Sequence, residues 1–219
     1  MKIGVIHAAA SAVQPLEQVF HEMAPEAMVD NHLNEDMLKE AEKNGVSPKA
    51  LRMFAKEVFQ AADEGADGII VACSVFCSSL DVVCPFLSVP VIAVDDPALH
   101  IAVQRGGKIG ILATTASSAP ACAAKLDKIA EETGTVLDYA FGIVPEALTA
   151  LKNGDGETHD RLLIQKAQEL AEQGCTTLFL SQVSMARAKV AMPEELRLIT
   201  LTTPEEGAAE IMRLIKTEM

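Results

Sequence analysis

The sequence predicts an α/β fold of two pseudo-symmetric, doubly wound halves, each with a four-stranded parallel sheet. Two observations support this prediction. Short apolar runs rich in β-branched residues alternate with longer helical stretches, which is typical of buried parallel strands and their crossover helices. In addition, three segments of the second half match segments of the first half in the same order. An internal repeat of this kind indicates two similar units related by an approximate two-fold axis.

The repeat also predicts where the two halves begin and end. The matched segments are 107–117 with 1–11, 172–184 with 63–75, and 198–204 with 91–97. The offset stays between 106 and 109 residues, so the three matches are collinear. We therefore expect residues 1–95 and 203–219 to form the N-terminal half, with the last helix packing back on it, and residues 96–202 to form the C-terminal half.

The individual elements follow from apolar runs and from helix start and stop signals. Up to Gly106 we predict strands at 2–6, 27–31, 67–71 and 89–94, and helices from Pro15, at 34–43, 47–64 and 79–86, and from Asp96 to Gly106. In the second half we predict a strand ending before Thr114, strands at 135–140, 177–180 and within 198–204, and helices at 157–173 and 204–216. Short crossovers favour the strand order 2-1-3-4.

Composition excludes several classes of protein. The net charge of −13 and the lack of a Lys/Arg cluster argue against nucleic acid and anionic membrane surfaces as partners. Apolar runs are too short for a signal peptide or a membrane span, so we expect a cytoplasmic protein. Five cysteines, an odd number, fit free thiols in a reducing compartment.

Cys73 is the first candidate for chemistry. It follows the buried strand 67–71, and ligands bind at the carboxyl ends of strands in open α/β sheets. The small polar residues that follow it, Ser74, Ser78 and Ser79, suit a turn that opens a helix with free N–H groups. The alternative is an inert buried cysteine. Cys77 completes a CxxxC spacing, but no second cluster accompanies it, so we predict no metal site.

Two further positions are predicted to act with Cys73. In the order 2-1-3-4 the first strand lies beside the third, so His7 would end a strand next to Cys73, close enough to stabilise a thiolate or relay its proton. The alternative for His7 is a loop histidine bonded to the backbone. The repeat partner of Cys73 is Gln182, whereas Cys175 precedes its strand and is predicted to lie at the opposite edge of the sheet.

Hydroxyl groups cluster after the first and fifth strands. Together with free N–H groups they are suited to bind a carboxylate in a protein with few basic residues to spare, although helix capping explains one or two of them. The predicted substrate-binding residues are Ser11, Ser74, Val75, Thr114, Thr115, Ser117, Val183 and Ser184.

Four segments carry a family resemblance, namely IIVACSV around Cys73, VPVIAVDDPALHIAV at 89–103, KIGILATTAS at 108–117 and LFLSQVSMA at 178–186. With these segments the chain resembles the aspartate/glutamate racemase superfamily, which includes hydantoin racemases, maleate isomerases and arylmalonate decarboxylases. The resemblance implies an active site in the cleft between the two halves and no cofactor. It also implies two cysteines, of which one removes the α-proton and the other returns a proton.

The sequence departs from that family pattern at two positions. The first cysteine matches Cys73, but the second falls on Gln182, whose amide is neither an acid nor a base at neutral pH. The acidic residue that the family carries after the first strand is replaced by His7. The resemblance implies a cofactor-independent racemase or isomerase acting on a small carboxylate-bearing substrate. A one-cysteine decarboxylase or lyase, and an inactive carboxylate-binding protein, are the alternatives. The oligomeric state stays open, with a homodimer as one alternative.

Overall fold

In the computed structural model, which describes residues 1–77, 79–116 and 118–218, eight strands form two parallel sheets of four. The strands are β1 (Lys2–His7), β2 (Met28–Leu33), β3 (Gly68–Val71), β4 (Val91–Ala93), β5 (Lys108–Ala113), β6 (Asp138–Ile143), β7 (Thr177–Leu180) and β8 (Thr200–Thr202). Their orders are β2-β1-β3-β4 and β6-β5-β7-β8. The predicted α/β fold with two similarly wound halves and the order 2-1-3-4 is confirmed.

Helices connect the strands, as parallel pairing requires. The helices that precede β5 in the chain are α1 (Val13–Met23), α2 (Glu35–Asn44), α3 (Pro48–Asp63), α4 (Ser74–Cys77), α5 (Leu80–Val83) and α6 (Asp96–Arg105). Those that follow are α7 (Ser118–Thr133), α8 (Pro145–Lys152), α9 (Gly156–Glu172), α10 (Ala186–Val190), α11 (Glu194–Ile199) and α12 (Thr203–Glu218). Among the described residues, no helix is both long and apolar enough to cross a membrane.

The chain divides into two compact units, each with its own sheet. The N-terminal unit is Met1–Asp96 with Pro204–Met219, and the C-terminal unit is Pro97–Thr203. Helices cover both sheets, and nearly all residues of the central strands β1, β3, β5 and β7 are buried. This burial explains why those strands are continuous apolar runs in the sequence.

In the N-terminal unit, α3 and α12 each pack on a strand of the sheet. A Cβ added to Gly4 would lie 2.9 Å from the Cβ of Ala61 in α3, so the glycine permits a close approach of helix to strand. At Gly68 an added Cβ would lie 2.9 Å from side-chain atoms of Ile211 and Ile215 in α12. Glycines 4 and 68 therefore allow the two helices to cover the sheet closely.

In the C-terminal unit, α7 and α9 contribute to two separate apolar clusters around the sheet. Leu126 of α7 clusters with Ile111 of β5 and Phe179 of β7, and Leu170 of α9 clusters with Leu112 and Leu178. Neighbouring residues of one strand thus belong to different clusters, as the alternation of side chains along a strand requires. This alternation also decides which side chains meet at the ends of the strands.

Three predicted elements differ from the structure. The strand predicted at 135–140 is β6, which begins three residues later, at Asp138. The single helix predicted at 79–86 is divided into α5 and a 3₁₀ turn, Cys84–Phe86, because Pro85 lacks the N–H that a continuing α-helix needs. Leu198 and Ile199, predicted as the start of a strand, end α11, and β8 begins after them.

Candidate functional site

Cys73 lies two residues beyond the end of β3 and directly before α4. Its side chain is buried, and the backbone N–H of Phe76 donates to its carbonyl oxygen at 3.0 Å in the turn that opens α4. Burial raises the pKa of the Cys73 thiol, the backbone N–H groups of Val75 and Phe76 oppose this rise, and the negative charge of Asp95 adds to it. The thiol is therefore favoured at rest, while the two N–H groups favour the thiolate.

Asp95 is a site residue that the sequence analysis missed. β3 and β4 pair Val71 with Ala93, and the backbone N–H of Val94 donates to the carbonyl of Val71 at 3.0 Å. Continuing this register by two residues places Cys73 level with Asp95, with both side chains on the same face of the sheet. The signal was available, because Asp95 follows the fourth strand, which the predicted order places beside the strand of Cys73.

The thiol of Cys77 contacts both of these residues. As donor, its sulfur lies 3.3 Å from the carbonyl oxygen of Cys73 and 3.5 Å from Oδ1 of Asp95. Asp95 is 8% exposed, which is unusual for a carboxylate, since aspartates are seldom fully buried without a partner. Two thiols and one carboxylate thus gather where β3 and β4 end.

The expected contact between His7 and Cys73 is not formed in the described residues. β1 and β3 pair Ile6 with Val71, and the N–H of Ala72 donates to the carbonyl of Ile6 at 2.9 Å. This register places His7 level with Ala72, so that Ala8, not His7, lies beside Cys73. Adjacent strand ends are not sufficient for a contact, because successive side chains point to opposite faces of a sheet.

His7 is instead the end of a hydrogen-bonded chain. Nδ2 of Asn31 donates to Oε1 of Glu17 at 2.7 Å, so Oδ1 of Asn31 is the atom that meets Nε2 of His7 at 2.9 Å. That oxygen can only accept, so Nε2 of His7 carries the hydrogen. Burial lowers the pKa of His7 and outweighs the raising effects of Asn31 and Glu17. His7 is therefore neutral near pH 7, and a catalytic role for it stays a prediction.

Gln182 lies two residues beyond the end of β7 and is held by Thr114. Its Oε1 accepts from the backbone N–H of Thr114 at 2.8 Å and from Oγ1 of Thr114 at 2.7 Å. A backbone N–H can only donate, so the orientation of the amide is determined: Oε1 faces Thr114, and the Nε2 group is directed away as a donor. Thr114 itself is buried and positions Gln182.

The other predicted binding residues follow the ends of the strands in their own units. In the N-terminal unit, Ser11 is exposed in a 3₁₀ turn, Ala10–Ala12, and Ser74 and Val75 are exposed at the start of α4. In the C-terminal unit, Oγ1 of Thr115 lies 2.5 Å from Oγ of Ser118, and Val183 and Ser184 form the turn after Gln182. Ser117 lies outside the described residues. The binding roles of these residues stay predictions.

One group in the described residues has the composition of a metal site. Asp30, His32 and Glu64 bring three possible ligand atoms within 4.8 Å of one another. Nζ of Lys2 lies 2.8 Å from Oδ2 of Asp30, however, so a cation already neutralises that carboxylate, and the ion pair lowers the pKa of Asp30. Asp30 and His32 belong to the edge strand β2, not to β3 or β4, so this group is not part of the Cys73 cluster.

Comparison with known proteins gives one family and several similar folds. A model described as Asp/Glu/hydantoin racemase matches residues 3–210. No curated protein sequence matches the chain significantly. The match to the family model therefore covers nearly the whole chain.

Solved racemase structures resemble this chain over nearly its whole length. An allantoin racemase from Klebsiella pneumoniae has a TM-score of 0.75 at 16% identity, over 100% of this chain and 89% of the other. An aspartate racemase homologue from Pyrococcus horikoshii has a TM-score of 0.73 at 14% identity, over 98% and 99%. The glutamate racemase isoform RacE1 from Bacillus anthracis has a TM-score of 0.67 at 19% identity, over 99% and 82%. At these identities the likeness shows the fold alone.

Proposed function

Since this chain belongs to the Asp/Glu/hydantoin racemase family, we propose that it is a cofactor-independent, isomerase-type enzyme in which Cys73 exchanges a proton beside a substrate carboxylate. The observation that carries the proposal is the setting of Cys73. The thiol is buried at the carboxyl end of a central strand, and the backbone N–H groups of Val75 and Phe76 oppose the rise in its pKa that burial causes. A cysteine with only a packing role does not need groups that favour its thiolate, whereas a cysteine that transfers protons does.

The chemistry is proton transfer at a carbon next to a carboxylate or carbonyl group. As a thiolate, Cys73 takes the proton and leaves an enolate; as a thiol, it returns a proton to that carbon. The N–H groups of Val75 and Phe76 stabilise the thiolate formed in each turnover. Positioned acid–base groups of this kind contribute about 10²–10⁴-fold to a rate.

We propose that Gln182 binds an oxygen of the substrate. Oε1 of Gln182 already accepts two hydrogen bonds from Thr114, so the amide presents its N–H donors to a ligand. Such donors can bind a carboxylate or an enolate oxygen. Position 182 carries no acid–base group, so ordinary two-base racemisation of amino acids is expected to be slow. The substrate class is therefore a small carboxylate whose reaction needs one thiol.

Hydrogen exchange in heavy water tests the proposal. The protein is incubated with small dicarboxylates, amino acids and hydantoins, and deuterium at the carbon beside the carboxylate or carbonyl is measured by NMR. We expect at least one substrate to exchange, and Cys73→Ser to slow that exchange by about 100-fold or more. The matched control is Cys175→Ser, a buried cysteine that precedes β7 and should not matter. Exchange that survives Cys73→Ser would refute the assignment.

A second candidate, a one-cysteine decarboxylase, is favoured by the amide at position 182. Loss of CO₂ generates the enolate without a base, and a single thiol then protonates it on one face. The same samples separate the two reactions, since decarboxylation releases CO₂ and incorporates one deuterium, whereas exchange leaves the carbon skeleton unchanged. Substrate binding without either reaction would indicate a carboxylate-binding protein that has lost turnover.

A further inference from the structure

The end of β4 holds a carboxylate that neither the family resemblance nor the proposed function uses. Asp95 and Cys73 lie level on neighbouring strands, two residues beyond the paired Val71 and Ala93. Neighbouring parallel strands are about 4.8 Å apart, so side chains on the same face at one level are in contact range. We propose that Asp95 is the electrostatic partner of Cys73 and holds it as a protonated thiol, so that Cys73 begins the reaction as a proton donor.

The surroundings of Cys73 give the carboxylate a strong influence. Cys73 belongs to an apolar cluster with Phe54 and Val58 of α3 and with Ala8, which directly follows β1. Helix α4 contributes the thiol of Cys77, which donates toward Oδ1 of Asp95. Asp95 is thus a charged group that acts on Cys73. In such an apolar setting a nearby charge is screened less than it would be in water.

The donor role deepens the proposed function and rests on it. In the step, the S–H bond of Cys73 breaks and its proton passes to the carbanionic carbon of an enolate, whose electron pair forms the new C–H bond. The backbone N–H groups of Val75 and Phe76 favour the thiolate that remains, and a proton from water restores the thiol. Asp95 is a positioning residue here, since it acts through Cys73 and not on the substrate. The arrangement favours reactions that begin with protonation of an enolate, such as decarboxylation.

The test measures the protonation of Cys73 without any substrate. The full-length protein is alkylated with iodoacetamide at a series of pH values, and the peptide that carries Cys73 is quantified by mass spectrometry. Removal of a neighbouring negative charge lowers a thiol pKa. We therefore expect Asp95→Asn to speed the alkylation of Cys73 near neutral pH by about tenfold, because more thiolate is present. Asp95→Glu keeps the charge and should restore the wild-type profile.

Asp81→Asn is the matched control. The charge of Asp81, together with the larger effect of burial, raises the pKa of Cys84, so this variant should speed the alkylation of Cys84 and leave Cys73 unchanged. An unchanged Cys73 profile in folded Asp95→Asn would overturn the proposal. If that variant does not fold, the pH profile of the wild-type protein tests the proposal. A midpoint of Cys73 alkylation below that of free cysteine, about pH 8.5, would equally overturn it.

This experiment separates the two proposals. A shifted Cys73 profile in a protein that exchanges and decarboxylates nothing would support the pairing with Asp95 and refute the proposed function. In an active protein, the pH profile of kcat provides the second readout. Loss of the Asp95 charge should move its alkaline limb to lower pH, because the donor is lost at lower pH, whereas a purely structural role would lower kcat at every pH.

Discussion

The two units end their central strands differently. In the N-terminal unit Cys73 has an apolar neighbour toward β1, Ala8, and a carboxylate toward β4, Asp95. In the C-terminal unit Gln182 has its polar partner toward β5, where Thr114 donates twice to its amide oxygen. The same strand order thus supports a titratable thiol in one unit and a neutral donor that does not titrate in the other.

The difference arises partly from single residues at the strand ends. In the match of 198–204 with 91–97, Asp95 of the N-terminal unit corresponds to Thr202 of the C-terminal unit. The C-terminal unit therefore carries a neutral hydroxyl where the N-terminal unit carries a carboxylate. Such a substitution changes the charge at a strand end without changing the sheet, which shows how one fold can present different chemistry in its two repeats.

The largest expected effect concerns the support beneath Cys73. Phe76 follows Cys73 closely and stacks on Phe54, with ring centroids 5.0 Å apart and an interplanar angle of 13°. Phe76→Ala should lower the free energy of unfolding by about 3–5 kcal/mol, as expected for a buried phenylalanine. Urea titration followed by circular dichroism measures it. Met185→Ala, in the turn after Gln182, is the counterpart in the other unit and should cost about 2–5 kcal/mol.

A loss below about 1 kcal/mol for Phe76→Ala would mean that the stack does not support the Cys73 turn. The comparison between the two strand ends would then rest on their polar partners alone.

The second largest expected effect is the loss of activity when the amide of Gln182 is removed. Gln182→Ala removes the proposed donor to the substrate and should lower kcat by about 10²–10³-fold, the usual effect of losing one oxyanion donor. Steady-state kinetics on the substrate found by hydrogen exchange measures this loss. Thr114→Val removes only one of the two bonds that orient the amide and should have a smaller effect. Equal kcat in wild type and Gln182→Ala would show that the C-terminal strand end contributes no donor.

Replacing the amide by a thiol should make the two strand ends alike. Gln182→Cys places a cysteine at the repeat partner of Cys73, as the resemblance to two-cysteine racemases implies. We expect racemisation of aspartate, glutamate or a hydantoin to appear, measured by optical rotation, while the wild type is nearly inactive. The gain should be small, because a placement error of about 1 Å can cost about 100-fold. Fast racemisation by the wild type would contradict the asymmetry between the units.

The smallest expected effect concerns His7. Because His7 lies level with Ala72 and bonds to Asn31, His7→Gln should change the alkylation rate of Cys73 by less than about twofold, within the range of indirect effects. The measurement is the same peptide-resolved labelling, with Asp95→Asn as the variant that does respond. A marked slowing in His7→Gln would restore His7 as the group that activates the thiol.

Much of the fold was predictable because its signals are local. Apolar runs and capping residues predicted the strands and helices, and the repeat predicted two units of equal strand order. Ser47 caps α3 as expected, and its Oγ accepts from the N–H of Ala50. The sequence also predicted that Cys73 and Gln182 lie at the carboxyl ends of strands. Each follows an apolar run that is too short for a helix and is typical of a buried strand.

Only the tertiary structure decided which side chains meet Cys73. The sequence predicted that β1 lies beside β3, but not the register, and a shift of one residue moves a side chain to the other face of the sheet. The register places Ala8 and Asp95 beside Cys73 and turns His7 toward Asn31 and Glu17. Likewise, the bond from Thr114 to Gln182 joins residues 68 positions apart and leaves no local signal. Strands form from local patterns, whereas their register depends on the packing of the whole sheet.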